Sequence, residues 1–110
     1  MNSLLSLNAF KGMEGLTHLD ITFPNTFFDE TIDERFFTNI DINLPNLQLL
    51  KIKTKIRTDL KGYQLIADSL SRLSKLHTIY IDIEKESIQE MFKTKLIKNC
   101  TKIKSFFFVN

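Results

Sequence analysis

Four short stretches decide the fold of this chain, and they read LTHLDI at 16–21, LQLLKI at 47–52, LHTIYI at 76–81 and IKSFFF at 103–108. Each has a large apolar residue at its first, fourth and sixth positions. The intervals between successive copies are 31, 29 and 27 residues, measured at the fourth position. A near-constant period of this length is typical of solenoids, in which each unit buries its apolar face against its neighbours.

The centre of each stretch alternates, as expected of a strand with one buried face. We predict strands near residues 18–22, 49–53, 78–82 and 105–109. The predicted core face carries Leu19, Ile21, Phe23, Leu50, Ile52, Ile79, Ile81, Ile83, Phe106 and Phe108. Residues of the opposite parity form a solvent-facing surface, called the open face below, whose candidate binding residues are His18, Asp20, Leu49, Lys51, Lys53, Thr78, Tyr80, Asp82 and Phe107.

Helices are predicted between the strands, because the apolar spacing there changes to that of a helix. They cover residues 29–40, 60–72 and 87–98, with capping residues at their starts: Thr31 with Glu34, Thr58 or Asp59, and Ser87 with Glu90. Strands joined through helices should be parallel, and such crossovers are right-handed. The predicted fold class is therefore α/β: a right-handed solenoid with parallel strands on its concave face and helices on its convex face.

Composition fits one ordinary globular domain over residues 1–110. The chain has 43% hydrophobic and 25% charged residues, and its net charge is +2 from 15 basic and 13 acidic residues. Such a balance creates no strong long-range field, so nucleic acid is not favoured as a partner. Lys51, Lys53, Lys55 and Arg57 alternate along one strand, but no aromatic residues are interleaved with them. We interpret this basic run as a solvated, partly paired surface.

The cysteine count predicts an intracellular location. Cys100 is the single cysteine, so no internal disulfide can form, and a reducing environment fits best. The longest apolar runs are far too short to span a bilayer. The first residues lack the basic start and the apolar stretch of a signal peptide. We expect no membrane association.

Candidate metal ligands do not converge in the sequence. His18 and His77 lie in different repeats with opposite parity, and Cys100 is expected at a helix end, on another side of the fold. A protein metal site needs three or four ligands at one point. We therefore expect neither a metal ion nor another cofactor.

Candidate acid and base groups are similarly scattered. Asp20 and Asp82 are two strands apart, which is about 10 Å at the usual strand spacing. In the parallel register implied by the motif, Asp20 lies beside Lys51, and Lys53 lies beside Asp82. We predict that these opposite charges pair laterally across the strands. On this interpretation the chain is not an enzyme.

An aromatic pair is the strongest candidate for binding. Tyr80 and Phe107 occupy equivalent positions on neighbouring strands of the open face. Exposed aromatic residues are enriched among the side chains that dominate protein–protein binding energies. We therefore expect a protein partner on the open face.

The repeats resemble leucine-rich repeats from about residue 10 onward. Residues 96–106, LIKNCTKIKSF, resemble the cysteine-containing repeat of intracellular F-box substrate receptors, and residues 44–50, LPNLQLL, are similar with leucine in place of cysteine. The opening AFKGMEGLTHL at 9–19 looks instead like the link between repeats of extracellular leucine-rich proteins. The first resemblance implies the substrate-recognition region of an F-box type ubiquitin ligase receptor. The second implies an extracellular or receptor-type ligand-binding domain.

The sequence also departs from the leucine-rich pattern. Where such repeats place asparagine or cysteine at the bend, this chain has Pro24, Lys55 and Glu84, so we expect an irregular bend. No F-box and no terminal caps are recognised, which favours a fragment of a longer solenoid with three to four repeats. The last predicted strand is apolar and uncovered, so we expect self-association through it.

Overall fold

The computed structural model describes residues 12–21, 32–99 and 102–108. Within these ranges, the strands are β1 (His18–Ile21), β2 (Leu49–Ile52), β3 (Thr78–Ile81) and β4 (Ser105–Phe108). The helices are α1 (Ile40–Asn43), α2 (Leu60–Ser71) and α3 (Glu86–Asn99), and a 3₁₀ helix (Glu34–Phe37) precedes α1. Each strand coincides with a predicted one; β2 and β3 end one residue earlier than predicted, and the predicted last residues of β1 and β4, 22 and 109, lie outside the described residues.

The four strands form one parallel sheet in the order β1, β2, β3, β4. Its register aligns equivalent motif positions, so that Leu19, Leu50, Ile79 and Phe106 are lateral neighbours. Asp20 and Lys51 are register partners, as predicted. The α/β class and the parallel register inferred from the repeated motif are therefore confirmed.

One face of the sheet forms the core. Its central residues are completely buried, and they are Leu50, Ile52, Ile79 and Ile81. The same hydrophobic cluster includes Ile66, Ala67 and Leu70 of α2 and Phe92 and Leu96 of α3. Burying one such side chain stabilises the fold by about 1.5–3 kcal/mol. The predicted core face is confirmed for the described residues, although Ile21, Phe106 and Phe108 at the two outer strands are only partly buried. Phe23 lies outside the described residues.

Helix α2 begins as the sequence predicts. The side chain of Asp59 accepts a hydrogen bond from the Gly62 backbone N–H at 2.8 Å and caps the helix. Helix α3 begins at Glu86, one residue before the predicted start. Ser87 therefore lies in the first turn, and the predicted cap by Ser87 and Glu90 is wrong. A side-chain contact supports this turn instead, since Gln89 donates to the Ile83 carbonyl.

The predicted single helix over 29–40 is wrong within the described residues. A 3₁₀ helix and the four-residue α1 replace it, separated by Asn39 in the left-handed backbone region at φ 62°. A residue in that conformation interrupts a right-handed helix. Asp33 caps the 3₁₀ helix by accepting from the Arg35 backbone N–H at 2.9 Å, whereas the predicted cap, Thr31, lies outside the described residues.

Ile32 was predicted to be helical, but it forms a β-bridge instead. It forms an isolated parallel bridge with Ile56, through Ile32 N–H to the Lys55 carbonyl and Arg57 N–H to the Ile32 carbonyl. Ile32 and Ile56 are both buried. The bridge adds backbone hydrogen bonds after the end of β2, where the leucine-rich pattern would use an asparagine or cysteine side chain.

The bend positions carry a salt bridge in place of those side chains. Lys55 follows β2 and Glu84 follows β3, and Lys55 Nζ lies 3.3 Å from a Glu84 carboxylate oxygen. Both side chains are more than half exposed, so this pair contributes at most about 1 kcal/mol. The third bend position, Pro24, lies outside the described residues.

Among the described residues, no helix combines the length and the apolar character needed to cross a membrane.

Candidate functional site

The strand register arranges the open face in lateral rows. Its first row consists of His18, Leu49, Thr78 and Ser105. Its second row consists of Asp20, Lys51, Tyr80 and Phe107, and is called the central row below. Lys53 directly follows β2 and lies two residues after Lys51, so it continues the open face beyond the central row. Most of the predicted open-face residues are thus brought together on one surface.

The aromatic pair predicted from the sequence forms at the end of the central row. The ring centroids of Tyr80 and Phe107 are 5.5 Å apart, with an angle of 37° between the ring planes. Phe107 is 49% exposed, although it is a large apolar side chain. Contact with Tyr80 holds the Phe107 ring in place while one of its sides remains accessible to a ligand.

Two lysines lie over the same tyrosine ring. The Nζ atoms of Lys51 and Lys53 are 5.1 Å and 6.0 Å from the Tyr80 ring centroid. Cation–π contacts at exposed sites contribute about 0.5–1 kcal/mol. Neither lysine forms a salt bridge within the described ranges. The predicted lateral pairs of Lys51 with Asp20 and of Lys53 with Asp82 are not among these salt bridges, and both lysine side chains lie over the aromatic ring.

The histidines make local contacts. His18 Nδ1 lies 2.9 Å from the Thr17 hydroxyl, and His77 Nδ1 lies 2.8 Å from the Thr78 hydroxyl. His18 is exposed on the open face, whereas His77 is half-buried before β3. In the part of the chain that the structure describes, no group of three or more His, Cys, Asp or Glu residues could hold a metal ion. Cys100 lies outside that part.

Asp82, another predicted binding residue, also lies outside the two rows. It follows the end of β3 and lines a cleft of about 480 Å³ at the carboxyl ends of β2 and β3. Charged side chains line this cleft from both loops, and they are Lys55, Arg57, Asp59, Asp82, Glu84 and Lys85. Tyr63 of α2 forms part of its wall and donates a hydrogen bond to the Ile56 carbonyl at 3.2 Å.

The electrostatics of the cleft depend mainly on Asp82, its half-buried carboxylate. Burial raises the pKa of Asp82, the neighbouring Glu84 raises it further, and Lys55 opposes both effects. Burial also raises the pKa of the Tyr63 hydroxyl, with smaller contributions from Asp82 and Glu84. Positive and negative side chains are equal in number around the cleft, and the Lys55–Glu84 salt bridge neutralises two of them. The cleft thus offers no single sign of charge to a ligand.

Sequence reasoning missed Tyr63 as a member of this cleft, because Tyr63 falls within the predicted helix 60–72 and not on a predicted strand. A signal was present in the topology. The carboxyl ends of parallel strands meet at one edge of a sheet, where ligands of open α/β sheets commonly bind. Charged residues that follow two successive strands at equivalent positions, such as Lys55 and Glu84, therefore predict a polar cleft at that edge.

No protein-family model, curated protein or solved structure significantly matches this chain.

Proposed function

We propose that this chain is a non-catalytic protein-interaction module of the leucine-rich-repeat type, and that it binds a protein partner through its open face. On this proposal the sheet is the inner, concave surface of a solenoid, and α2 and α3 lie on its outer, convex surface. The four aligned copies of the motif and the parallel sheet support such an architecture.

One observation carries the functional part of the proposal: the half-exposed Phe107 packs against Tyr80 on a sheet face that no helix covers in the described residues. Aromatic side chains supply a large contact area, and a neighbouring ring fixes their orientation before binding. A ligand that covered this pair would gain apolar burial without ordering the aromatic side chains first.

For the wider protein we propose the substrate-recognition region of an F-box type ubiquitin ligase receptor, acting inside the cell. The resemblance of residues 96–106 and 44–50 to intracellular repeats supports it. The alternative is an extracellular or receptor-type leucine-rich-repeat domain, which the resemblance of residues 9–19 favours. The coding sequence around this chain separates them. An F-box upstream supports the first, and a signal peptide with paired cysteines supports the second.

The experiment that tests the open face is selection of ligands from a random peptide library on the immobilised protein. Affinities of the selected peptides are then measured for the wild type, for Phe107→Ala and for Leu65→Ala. Leu65 is the matched control, because it is 51% exposed on helix α2. We expect Phe107→Ala to weaken binding by about tenfold or more, and Leu65→Ala to leave it within about twofold.

Equal affinities for the two variants would show that binding occurs elsewhere on the molecule and would overturn the proposal. Failure to select any peptide would also count against an interaction module. Thermal melts followed by circular dichroism establish that each variant is folded before its affinity is compared.

A further inference from the structure

The central row has a chemical gradient along it. Reading from β1 to β4, it presents a carboxylate, an ammonium group, a phenol ring and a phenyl ring, on Asp20, Lys51, Tyr80 and Phe107. Lys53 brings a second ammonium group to the same tyrosine ring. The β3 and β4 half of the row is therefore apolar, and cations lie directly beside it.

Neither of these two lysines is among the residues that form the four salt bridges found in the described part of the protein. One of those salt bridges is formed by Lys55, which is only two residues beyond Lys53. Lys51 and Lys53 instead share the Tyr80 ring, so two like charges approach one point on the surface. An anion placed between them would relieve their repulsion and gain two charge-assisted contacts.

The apolar part of the required ligand follows from Phe107. Its exposed side can be covered only by another apolar group, since a polar group there would lose hydrogen bonds to water. The Tyr80 ring contacts both Phe107 and the lysines. A matching ligand therefore carries its anion and its apolar group at neighbouring positions.

We infer that the partner of the open face is an acidic protein segment that places a carboxylate between Lys51 and Lys53 and an adjacent aromatic or large aliphatic side chain on Phe107. This inference rests on the proposed function and specifies its ligand. A protein segment fits better than a nucleic acid. Two lysines over one ring match a single carboxylate, whereas a phosphate backbone needs cations along its whole length.

The test uses three defined probes at physiological salt concentration: a copolymer of glutamate and tyrosine, a copolymer of lysine and tyrosine, and a single-stranded oligothymidylate. Binding of each labelled probe to the full chain is measured by fluorescence polarisation. The variants are Lys51→Glu with Lys53→Glu, Phe107→Ala, and the control Lys61→Glu with Lys93→Glu. The control makes the same change in net charge at exposed positions of α2 and α3.

The glutamate–tyrosine copolymer should bind the wild type and the control equally, to within about twofold, whereas the Lys51 and Lys53 reversal should weaken it by about tenfold or more. The lysine–tyrosine copolymer should bind the wild type more weakly than the acidic copolymer does. Phe107→Ala should weaken the acidic copolymer as well, because the apolar half of the row is lost.

Results that contradict the acidic ligand can be distinguished from results that contradict binding at the open face. If Phe107→Ala weakens binding but reversal of Lys51 and Lys53 does not, the open face binds ligands without an acidic preference, so the inference fails and the proposed function stands. If neither change weakens binding, both fail. Tighter binding of oligothymidylate than of the acidic copolymer would overturn the inference in favour of a nucleic-acid surface.

Discussion

The two faces of the same four strands differ in almost every physical property. In β3, Ile79 and Ile81 are completely buried against the helices, whereas Tyr80 between them lies under two lysines and beside Phe107. Successive side chains of a strand point to opposite sides, so one short motif specifies both surfaces at once. Stability and recognition should accordingly respond to different residues of the same strand.

The largest expected effect is on the core face. Ile81→Ala removes a fully buried side chain from a central strand and should lower the free energy of unfolding by about 2–5 kcal/mol. Lys53→Ala, on the open face, should change it by less than about 1 kcal/mol. Urea melts of both variants measure the difference. Equal effects would mean that the two faces are assigned the wrong way round.

The next effect concerns the edge of the sheet at β4. Among the described residues β4 pairs only with β3, and its sequence is Ser105–Phe108, SFFF. An apolar strand with an unpaired edge is prone to add a second strand. Sedimentation velocity of the 110-residue polypeptide should show concentration-dependent association that Phe107→Lys reduces. Leu65→Lys is the control, since it removes an equally exposed apolar side chain from a helix.

A wild-type protein that sediments as a monomer over the same concentrations, with no change in Phe107→Lys, would contradict self-association through the β4 edge.

A smaller effect is expected where the core face carries a polar residue. Thr54 continues the parity of Leu50 and Ile52, is 3% exposed, and its hydroxyl has no hydrogen-bond partner among the described residues. Leaving such a group unpaired is unfavourable, so Thr54→Val should raise the free energy of unfolding by about 1 kcal/mol. Thr78→Val on the open face is the matched control. It removes a hydroxyl that contacts His77 and should bring no gain in stability.

A drop in the thermal midpoint of Thr54→Val would show that the hydroxyl is satisfied in solution and that Thr54 has a polar role.

The smallest effects are those of pH, and two carboxylates should respond in opposite directions. Burial and Glu84 raise the pKa of Asp82 above 3.8, so the native state binds its proton more tightly than the unfolded state. The contribution of Asp82 to stability therefore falls as the pH rises from 3.8 through the raised value. Asp82→Asn should remove this fall and be more stable than the wild type at pH 7.

Asp33 is the counterpart. Its hydrogen bonds with Arg35 hold the pKa of Asp33 below 3.8, so its contribution is present above that pH and is lost as the pH falls through the lowered value. Asp33→Asn should be less stable than the wild type at pH 7 and should approach it in acid. Melts of both variants at several pH values measure the two trends, and trends of the same sign would contradict this electrostatic assignment.

Sequence reasoning predicted the strands and their register, which depend on the period of the apolar residues. It missed the lysine contacts and the division of the first helix, which depend on competition between nearby groups. The positions and register of all four strands follow from the spacing of Leu19, Leu50, Ile79 and Phe106, because a one-residue slip would expose a whole apolar face. The cap by Asp59 was also predictable, since a short acidic side chain before an apolar stripe has few other roles.

The lysine contacts and the first helix were not predictable in the same way. Lys51 can reach either Asp20 or Tyr80, and a sequence gives no distance by which to choose between a carboxylate and a ring. The segment after Ile32 has the apolar spacing of a helix, yet the bridge to Ile56 and the left-handed Asn39 divide it. Both outcomes depend on residues that are distant in sequence or on a single backbone conformation.

The most direct test of recognition at the open face is an NMR titration of the isotope-labelled chain with a peptide selected from the random library. We predict that the largest signal changes occur at Lys51, Tyr80 and Phe107, while the cleft residues Tyr63 and Glu84 stay unchanged. Changes centred on Tyr63 and Glu84, with the central row unaffected, would contradict the account by placing recognition at the carboxyl edge of the sheet.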